Sequence, residues 1–463
     1  MIGQERALEI AYLALKSVVA DEVEIMLTAE QAALTRFCYS TIHQNIERQD
    51  LLLSVRVIAD GCLGQAYTSS ESAEALRDAG RKAVEIALNH KGEVASGFSA
   101  GGPAQCLPTF YAETAGCDAN ERAAITGRMA TVARARGFHI HGSVDNEQSE
   151  LAVITSNGAE QYARFTKAGL RVMVASDEGD TGFSEAVSRN VQLLEPEKVA
   201  ARASDKCRLN HRRVSLVPGS YVTILEELAV ADLVRFMATL GLNGQAVNEG
   251  RSFAIDRLGG LVVDPRITLR DDPWSARGLP MPFDHEGTPK RPISLIEKGV
   301  LVQVVHDLNT AAVAGTRSTG HAAPPDPEAM MGYPAPTNLF LDGGDSSVEE
   351  MIASTELGVL VTRLHYTNSP NPRRVTVTGM TRDGTFLIED GRIIRALNNQ
   401  RFHQGVLEML NAVSSIGREP ELHRDGHGGV GVSMQHGVVG ASAHHIPALK
   451  VDQFSYIGES PVV

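Results

Sequence analysis

The feature that most constrains the fold is an apolar helix pattern in the middle of the chain, directly after a turn signal. Two short apolar runs flank Pro218-Gly219, which is typical of a turn. From about Glu226, apolar residues recur at three- and four-residue spacing and predict a helix with one buried face, formed by Leu228, Ala231, Leu233, Val234 and Met237. Gly241 and Asn243-Gly244 end the pattern. The helix opens the second half of the chain, so the residues on it limit the chemistry that this half supports.

The first half of the chain mixes helix patterns with hairpin patterns. Helices are predicted over residues 4–20, 71–89 and 184–204. Strand-like runs surround the turn signals Asp60-Gly61 and Asn157-Gly158. Asp118 followed by Glu121 three residues later predicts a capped helix start. We therefore predict an N-terminal domain of helices and antiparallel strands over residues 1–205, an α+β pattern.

After residue 211 the sequence becomes strand-like, with frequent Gly, Pro and Asp-Gly breaks. The dipeptides Asp383-Gly384 and Asp390-Gly391 divide two short apolar runs in the way that hairpin turns do. Short helices are predicted near 348–355 and 401–413. We predict a β-rich C-terminal domain over residues 206–463, so the fold class of the whole chain is α+β.

Composition and charge exclude several classes of function. The 463 residues are 43% hydrophobic and 21% charged, which is typical of a soluble globular protein. The formal net charge of −13 argues against binding to nucleic acid, because phosphate contacts need Lys and Arg. No apolar run approaches the roughly 18 residues that span a membrane. Five cysteines without paired spacing and a start without a leader pattern predict a reduced, cytoplasmic protein.

Three motifs resemble catalytic sequences but stand in the wrong context. Residues 97–101 read Gly-Phe-Ser-Ala-Gly, yet Gly102-Pro103 follows and blocks the helix that a nucleophile elbow needs, so we predict a loop. His285-Glu286 continues into Gly287-Thr-Pro289, which prevents a metal-binding helix and favours a structural or cleft-lining loop. Histidines also cluster at His139, His141, His321, His423, His427, His436, His444 and His445, and we interpret them as solvated or loop residues.

Several stretches of this sequence resemble the TldD/PmbA family, which is also called the modulator of DNA gyrase family. Besides the central helix, they are Phe283-Asp-His-Glu-Gly-Thr-Pro, Leu295-Ile-Glu-Lys-Gly-Val-Leu, Ser318-Thr-Gly-His, Pro336-Thr-Asn-Leu-Phe-Leu and Thr362-Arg-Leu-His-Tyr-Thr-Asn. Their order and spacing are similar to the family from about residue 20 to the last strands. The resemblance implies a peptidase context.

The family implied by this resemblance contains two kinds of subunit. TldD-type subunits are zinc peptidases with His-Glu-x-x-x-His on the central helix and a late Cys ligand, whereas TldE/PmbA-type subunits lack the metal motif and pair with a TldD-type partner. Here the helix begins Glu226-Glu-Leu-Ala-Val-Ala-Asp232, without His, and no Cys follows Cys207. We interpret Glu226, Glu227 and Asp232 as a solvated face. The resemblance therefore implies no catalytic residue, cofactor or metal in this chain, and zinc in the partner.

Two functions remain open at this stage. The first is a metal-free TldE/PmbA-like subunit of a TldD/TldE-type zinc metallopeptidase complex, which shapes an enclosed cleft for unfolded or short peptides, as a heterodimer with a TldD-type partner or as a homodimer. The second is an autonomous hydrolase or peptidase of the same family that acts on small peptide-like compounds, so whether the chain alone is an enzyme stays open. The candidate cleft-lining residues are His285, Glu286, Arg251, Arg363 and His365.

Overall fold

The computed structural model describes residues 1–89, 96–324, 333–424 and 442–459. It contains 25% helix and 41% strand. Helices and an antiparallel sheet form the N-terminal part, and the C-terminal part is rich in strands, so the predicted α+β class is confirmed. The division at residue 205 stays a prediction, and one helix runs across it from Pro196 to Leu209.

The N-terminal part is built on one antiparallel sheet in the order β3-β2-β1-β4-β5-β6. Its strands are β1 (Glu22–Cys38), β2 (Thr41–Ala59), β3 (Cys62–Thr68), β4 (His139–Thr155), β5 (Glu160–Ala175) and β6 (Thr181–Ser188). Asp60 and Gly61 join β2 to β3 as a two-residue turn, with Ala59 opposite Cys62. Both turn residues have positive φ, 51° and 75°, which explains the Asp-Gly pair.

Helices cover one face of this sheet. They are α1 (Gln4–Ser17), α2 (Ala73–Asn89), α3 (Ala112–Ala115), α4 (Ala119–Arg134) and α5 (Pro196–Leu209). The helices α1 and α2 pack on Ile25, Leu27 and Val55, and α4 and α5 pack farther along the same sheet. The predicted helix start at Asp118 is confirmed, because Asp118 and Glu121 form a reciprocal capping box.

The helix predicted over residues 184–204 is wrong in its first part. Residues 181–188 form β6, which pairs with residues 168–175 of β5. A 3-10 turn at Val191–Leu193 follows, and α5 starts only at Pro196, which occupies the first helical turn. The sheet edge offers residues 181–188 hydrogen bonds that outweigh a weak local helix pattern, and Pro196 fixes the real helix start.

Within its described residues, the C-terminal part contains two sheets and five α-helices. One sheet has the order β10-β9-β8-β11-β18-β17, and the other has the order β12-β7-β19-β15-β13-β14 with β16 paired to β19. The helices are α6 (Glu227–Gly241), α7 (Gly244–Asn248), α8 (Leu308–Val313), α9 (Val348–Ala353) and α10 (Val406–Asn411). The strands are β7 (Gly219–Leu225), β8 (Leu269–Asp271), β9 (Ile293–Glu297), β10 (Val300–Leu301), β11 (Asn338–Leu341), β12 (Leu357–Asn371), β13 (Thr376–Glu389), β14 (Arg392–Ala396), β15 (Gln400–Gly405), β16 (Val413–Ile416), β17 (Glu421–Arg424), β18 (Ala443–Ile446) and β19 (Leu449–Glu459).

The central helix α6 is more deeply enclosed than one buried face implies. It packs against β12 of one sheet and β18 of the other, and ten of its fifteen residues are buried. Its apolar side chains, among them Leu233, Val234 and Met237, belong to the largest apolar core of the described residues. A helix that is covered on several sides keeps its position through packing rather than through helix propensity.

The second face of the N-terminal sheet is covered by the C-terminal part. Met26 and Phe165 of the sheet form an apolar core with Met281 and Phe283. Ion pairs lie around this contact, and one of them joins Arg424 to Asp145 at 3.1 Å. A Cβ at Gly169 would overlap the Arg424 guanidinium, so a larger residue there would have to displace Arg424 from Asp145. Among the described helices, none combines the length and the apolar character needed to cross a lipid bilayer.

Candidate functional site

A tight loop at residues 283–290 carries two of the predicted cleft residues. The Asp284 N–H donates to the Thr288 carbonyl at 2.9 Å, and Gly287 takes the positive φ of 73° that closes the turn. The Asp284 carboxylate accepts backbone N–H groups from Glu286, Thr288 and Ala322 at 2.9–3.0 Å. Burial raises the pKa of Asp284 to about 6, against the effect of these hydrogen bonds. The carboxylate therefore acts as the organiser of the loop.

Glu286 points from this loop to the N-terminal sheet. One carboxylate oxygen accepts the Leu308 N–H at 3.0 Å, and the other lies 3.6 Å from Nη1 of Arg56 on β2. Arg56 also binds Glu24 of β1 at 2.9 Å. Burial raises the pKa of Glu286 to about 8 although Arg56 opposes the shift, and Asp284 and Glu24 raise it further. Glu286 is therefore an acid that holds its proton near neutral pH.

We name Glu24, Arg56, Asp284, Glu286 and Lys290 the junction cluster, because it joins the two parts of the chain. Lys290 is buried and donates to the Gly320 carbonyl at 2.7 Å, and burial lowers its pKa. The cluster places three carboxyl groups beside two cations at the edge of an apolar contact. Such a group can hold a proton or orient a polar substrate group, because perturbed acids are common at functional sites.

A second buried pair lies next to the junction cluster. Nε2 of His321 lies 3.2 Å from Oδ1 of Asp271, and both side chains are fully buried. The other Asp271 oxygen accepts the N–H groups of Thr337 and Asn338 at 2.6 and 2.8 Å. Burial lowers the pKa of His321, whereas His321 and Lys290 overcome burial and hold the pKa of Asp271 well below its usual range. This arrangement ties His321 to β8, which carries Asp271, and ties β8 to the start of β11.

The five predicted cleft residues occupy different places. His285 is buried in the loop, and its Nδ1–H donates to the Ala322 carbonyl at 3.1 Å. Arg251 follows α7 and binds Glu249 at 2.5 Å, with the Tyr333 ring 5.6 Å away. Arg363 and His365 lie on β12, outside the junction cluster. The structure thus brings His285 and Glu286 together and places the three others elsewhere.

Arg363 is enclosed rather than presented at a surface. Its Nε donates to Asp383 at 2.7 Å, and its guanidinium lies 4.3 Å from the centre of the Phe183 ring. Asp383 also accepts a hydrogen bond of 2.7 Å from Thr181 of β6. His365 is half-buried, with its ring centre 4.5 Å from that of Tyr366. Arg363 therefore ties β12 to the N-terminal sheet.

The start of α6 is surrounded by ion pairs, and the interpretation of a solvated carboxylate face is wrong for Glu226 and Glu227. Both are buried, because α5 lies across the helix start. Lys206 binds Glu226 at 2.6 Å, and Arg202 binds Glu227 at 2.6 Å and Glu421 at 2.5 Å. Burial opposes ionisation, but Lys206 and Arg202 hold the pKa of Glu226 below its ordinary value. We name these five residues the helix-entry cluster.

Two groups in the described residues have the composition of a cation site. Donor atoms of Glu227, Glu421 and His423 lie within 4.8 Å of one another, but Arg202 already bridges both carboxylates. The second group is Glu178, Asp180 and His211, of which only Asp180 is buried. Neither reproduces the His- and Cys-based zinc set that the family resemblance implies for TldD-type subunits. The residues at α6 therefore do not fit that zinc set.

The other sequence motifs also have definite places. Residues 97–101 have no regular secondary structure, and Ser99 Oγ accepts a hydrogen bond of 3.3 Å from Thr288 beside the junction cluster. On β4, His141 lies 3.2 Å from the Cys38 sulfur and His139 lies 3.2 Å from Asp177. His423, His444 and His445 are buried, which corrects their interpretation as solvated or loop residues. His423 of β17 lies opposite His444 of β18, and His445 lies opposite Leu422. His427 and His436 lie outside the described residues.

Comparison with known proteins identifies the relatives of this chain. Residues 218–458, more than half of the chain, match the family described as PmbA/TldA metallopeptidase C-terminal domain, and residues 40–87 match PmbA/TldA metallopeptidase domain 1. The chain belongs to the TldD/PmbA family. This membership confirms the resemblance, and it makes the chain a member of a family that is named for metallopeptidases.

Family members with full-length similarity include two metalloproteases. The "Metalloprotease TldD homolog" of Buchnera aphidicola subsp. Acyrthosiphon pisum is 22% identical over 450 residues, which cover 90% of this chain and 89% of the relative. The "Metalloprotease" of Methanothermobacter thermautotrophicus is 25% identical over 420 residues, which cover 85% and 86%.

Solved structures of family members share the fold. The crystal structure of TldE from Thermococcus kodakarensis has a TM-score of 0.85 at 22% identity and covers 98% of this chain and 100% of its own. A candidate modulator of a DNA gyrase from Thermotoga maritima has a TM-score of 0.82 at 19% identity, with 98% and 99% covered. At these identities the likeness establishes the fold.

Sequence reasoning missed Glu24, Arg56, Asp284 and Lys290. The available signal was charge at matched strand positions, since Glu24 of β1 lies opposite Arg56 of β2 in the register. Alternation along a strand by itself would place Glu24 toward solvent. The C-terminal part covers that face of the sheet, and only the tertiary structure reveals the covering.

Proposed function

We propose that this chain is a metal-free TldE/PmbA-like subunit that pairs with a TldD-type zinc peptidase. The observation that carries the proposal is the helix-entry cluster, in which Lys206 and Arg202 neutralise Glu226 and Glu227 at the start of α6. Zinc needs lone pairs from imidazole, thiolate or carboxylate groups. Carboxylates that already bind an ammonium and a guanidinium are poor zinc ligands, so the role of this subunit is to shape a cleft.

The proposed cleft runs along the edge of the N-terminal sheet. Within the described residues, β2 pairs with β3 only over residues 53–59, so residues 41–52 keep an unpaired strand edge. An extended peptide can add to such an edge through main-chain hydrogen bonds, with little sequence preference. Arg56 lies farther along the same strand and contacts Glu286 in the junction cluster. This proximity supports His285 and Glu286 as proposed cleft residues.

Charged side chains mark the sheet face next to this edge. Arg48 binds Glu30 at 2.6 Å, and both lie on the same face as Arg56 and Glu24, since side chains alternate along a strand. Unfolded and short peptides expose backbone amides and charged termini, which this face can pair with. We propose such peptides as the substrate class of the complex.

The proposed assembly is a pair of related subunits that together close the cleft. The β-rich part would supply a large apolar interface, above roughly 2,000 Å² in total as is usual for permanent partners. Related family members have equivalent faces, so a homodimer is the alternative state of the isolated chain. Sedimentation of the chain with and without a co-expressed TldD-type protein distinguishes the two. A strict monomer that ignores this protein would refute the proposed assembly.

Metal content and peptidase activity test the proposed role directly. After dialysis against a weak chelator, we expect well below one zinc per chain, and no cleavage of an unfolded peptide by the chain alone. Addition of a TldD-type partner should give chelator-sensitive cleavage above that of the partner alone. One tightly held zinc per isolated chain, with chelator-sensitive activity, would contradict the proposal.

The autonomous hydrolase is the second candidate, and one observation favours it. Glu227, Glu421 and His423 offer one imidazole and two carboxylates within 4.8 Å, and the described residues provide no hydrogen-bond partner for either ring nitrogen of His423. A hydrolase of this kind would need Arg202 to leave the carboxylates. The metal measurement above decides between the two candidates.

A further inference from the structure

A cavity of about 650 Å³ lies beside the C-terminal end of α6, outside the clusters described above. Its apolar floor is formed by Phe253 and Val262, which are buried, and by the half-buried Leu407. Phe253 is held there by its close packing against Gly241, the last residue of α6. The volume lies in the range of small-molecule sites.

The rim of this cavity is basic in a protein of net charge −13. Arg257, Arg373 and Arg374 line it together with a single acid, Glu408. In the part of the chain that the structure describes, none of the three guanidinium groups makes an ion pair or a side-chain hydrogen bond. Most other arginines discussed above are paired to carboxylates. Three unpaired guanidinium groups around one concave site favour an anion.

The backbone holds two of these arginines in a fixed turn. Arg373 and Arg374 belong to the 3-10 turn Pro372–Arg374, in which Asn371 accepts the Arg374 N–H at 3.2 Å. Val375 follows with φ 49° while fully buried, a conformation that a β-branched residue rarely adopts. Surrounding structure must stabilise such strain, so the backbone that carries both arginines is held in one conformation.

We infer that this cavity binds a small organic anion, namely a carboxylate attached to an apolar group. The guanidinium groups would take the carboxylate through paired N–H donors, and the floor at Phe253, Val262 and Leu407 would take the apolar group. Asn371 and Asn411 add amide groups to the lining. The site lies wholly on this chain, so it does not depend on the proposed partner subunit.

Calorimetric titration of the isolated full chain tests this inference. The probes are N-acetylphenylalanine, its C-terminal amide, and inorganic phosphate, each used up to about 1 mM, where millimolar affinities are still detected. We expect the carboxylate to bind, and to bind at least about tenfold more tightly than the amide, as the loss of a charge-assisted bond implies. Binding should weaken at high salt, because the guanidinium groups are exposed.

The variant R373A/R374A should weaken carboxylate binding by at least about tenfold. R392A/R395A is its matched control, because it removes two exposed arginines from β14 and changes the net charge equally, and it should bind as the wild type does. If R373A/R374A fails to fold, R257A replaces it. Equal binding of acid and amide, equal loss in both double variants, or binding of phosphate alone would overturn the inference.

Discussion

The buried pair of Arg363 and Asp383 gives the sharpest test of how the two parts of the chain are held together. Both side chains are almost fully buried, and Asp383 accepts hydrogen bonds from Arg363 and from Thr181 at 2.7 Å each. The substitution Asp383→Asn keeps the shape of the side chain and removes its charge. It removes the carboxylate that the buried guanidinium of Arg363 binds.

Removing one partner of a buried ion pair typically costs about 3–5 kcal/mol. For a cooperative unit of 150–250 residues, this loss lowers the transition midpoint by about 6–20 °C. Burial opposes the ionisation of Asp383, but Arg363 holds its pKa below the ordinary value. The stabilisation is therefore present above the ordinary carboxyl pKa and is lost as the pH falls through the lower folded value.

Differential scanning calorimetry of the full chain at neutral pH and at acid pH measures the effect. Asp390→Asn is the matched control, because Asp390 also has positive φ, 46°, but is exposed at a hairpin turn. Asn adopts this backbone conformation as readily as Asp, so the conformational effect cancels between the two variants. We expect Asp390→Asn to change stability by less than about 0.5 kcal/mol.

A double-mutant cycle with Arg363→Met isolates the interaction itself. Once the guanidinium is absent, Asp383→Asn should cost much less than it does in the wild type, because the cation that the carboxylate attracts has been removed. The difference between wild type and Asp383→Asn should also shrink at low pH, where Asp383 becomes protonated. Additive losses in the cycle, or a loss in Asp383→Asn no larger than in Asp390→Asn, would refute the reasoning.

Three other changes probe the charged clusters and a cap. Arg202→Ala removes the cation between Glu227 and Glu421, so the variant should retain zinc after dialysis whereas the wild type should not; equal metal content would contradict this. In the wild type, Glu286 has a pKa of about 8 when folded and near 4.3 when unfolded, so the free energy of unfolding falls as the pH rises from about 5 to 8. Glu286→Gln lacks this group, so its stability should fall less over the same range. Parallel stability curves for the two proteins would refute this prediction. Asp118→Ala should cost about 1 kcal/mol in thermal melts through loss of the capping box, and an unchanged midpoint would contradict that.

Local signals in the sequence predicted local structure well. The turn at Asp60-Gly61 and the helix cap at Asp118 follow from the conformational preferences of a few neighbouring residues, and both are present. The strand at residues 181–188 was missed because its conformation depends on hydrogen bonds to β5, which no local pattern reveals.

The site was predictable only in part, for a related reason. The loop at His285 and Glu286 was found through its family motif, but Arg56 lies 230 positions from Glu286 in the sequence and meets it only in the folded chain. Alternation along a strand would place charged residues such as Glu24 in solvent. That rule fails where a second part of the chain covers the face, as it does at Glu24.

The helix-entry cluster explains how the proposed metal-free subunit would preserve the entry of α6. Two adjacent buried carboxylates repel each other and cost desolvation energy, so the fold needs positive charge beside them. The N-terminal end of the helix supplies part of it through its dipole. Arg202 and Lys206 supply the rest from neighbouring turns of α5, four residues apart and therefore on one face. Because these cations are part of the chain, they cannot dissociate as a metal ion can. The position of α6 is then independent of metal supply, and this suits a subunit whose proposed contribution is the shape of the cleft.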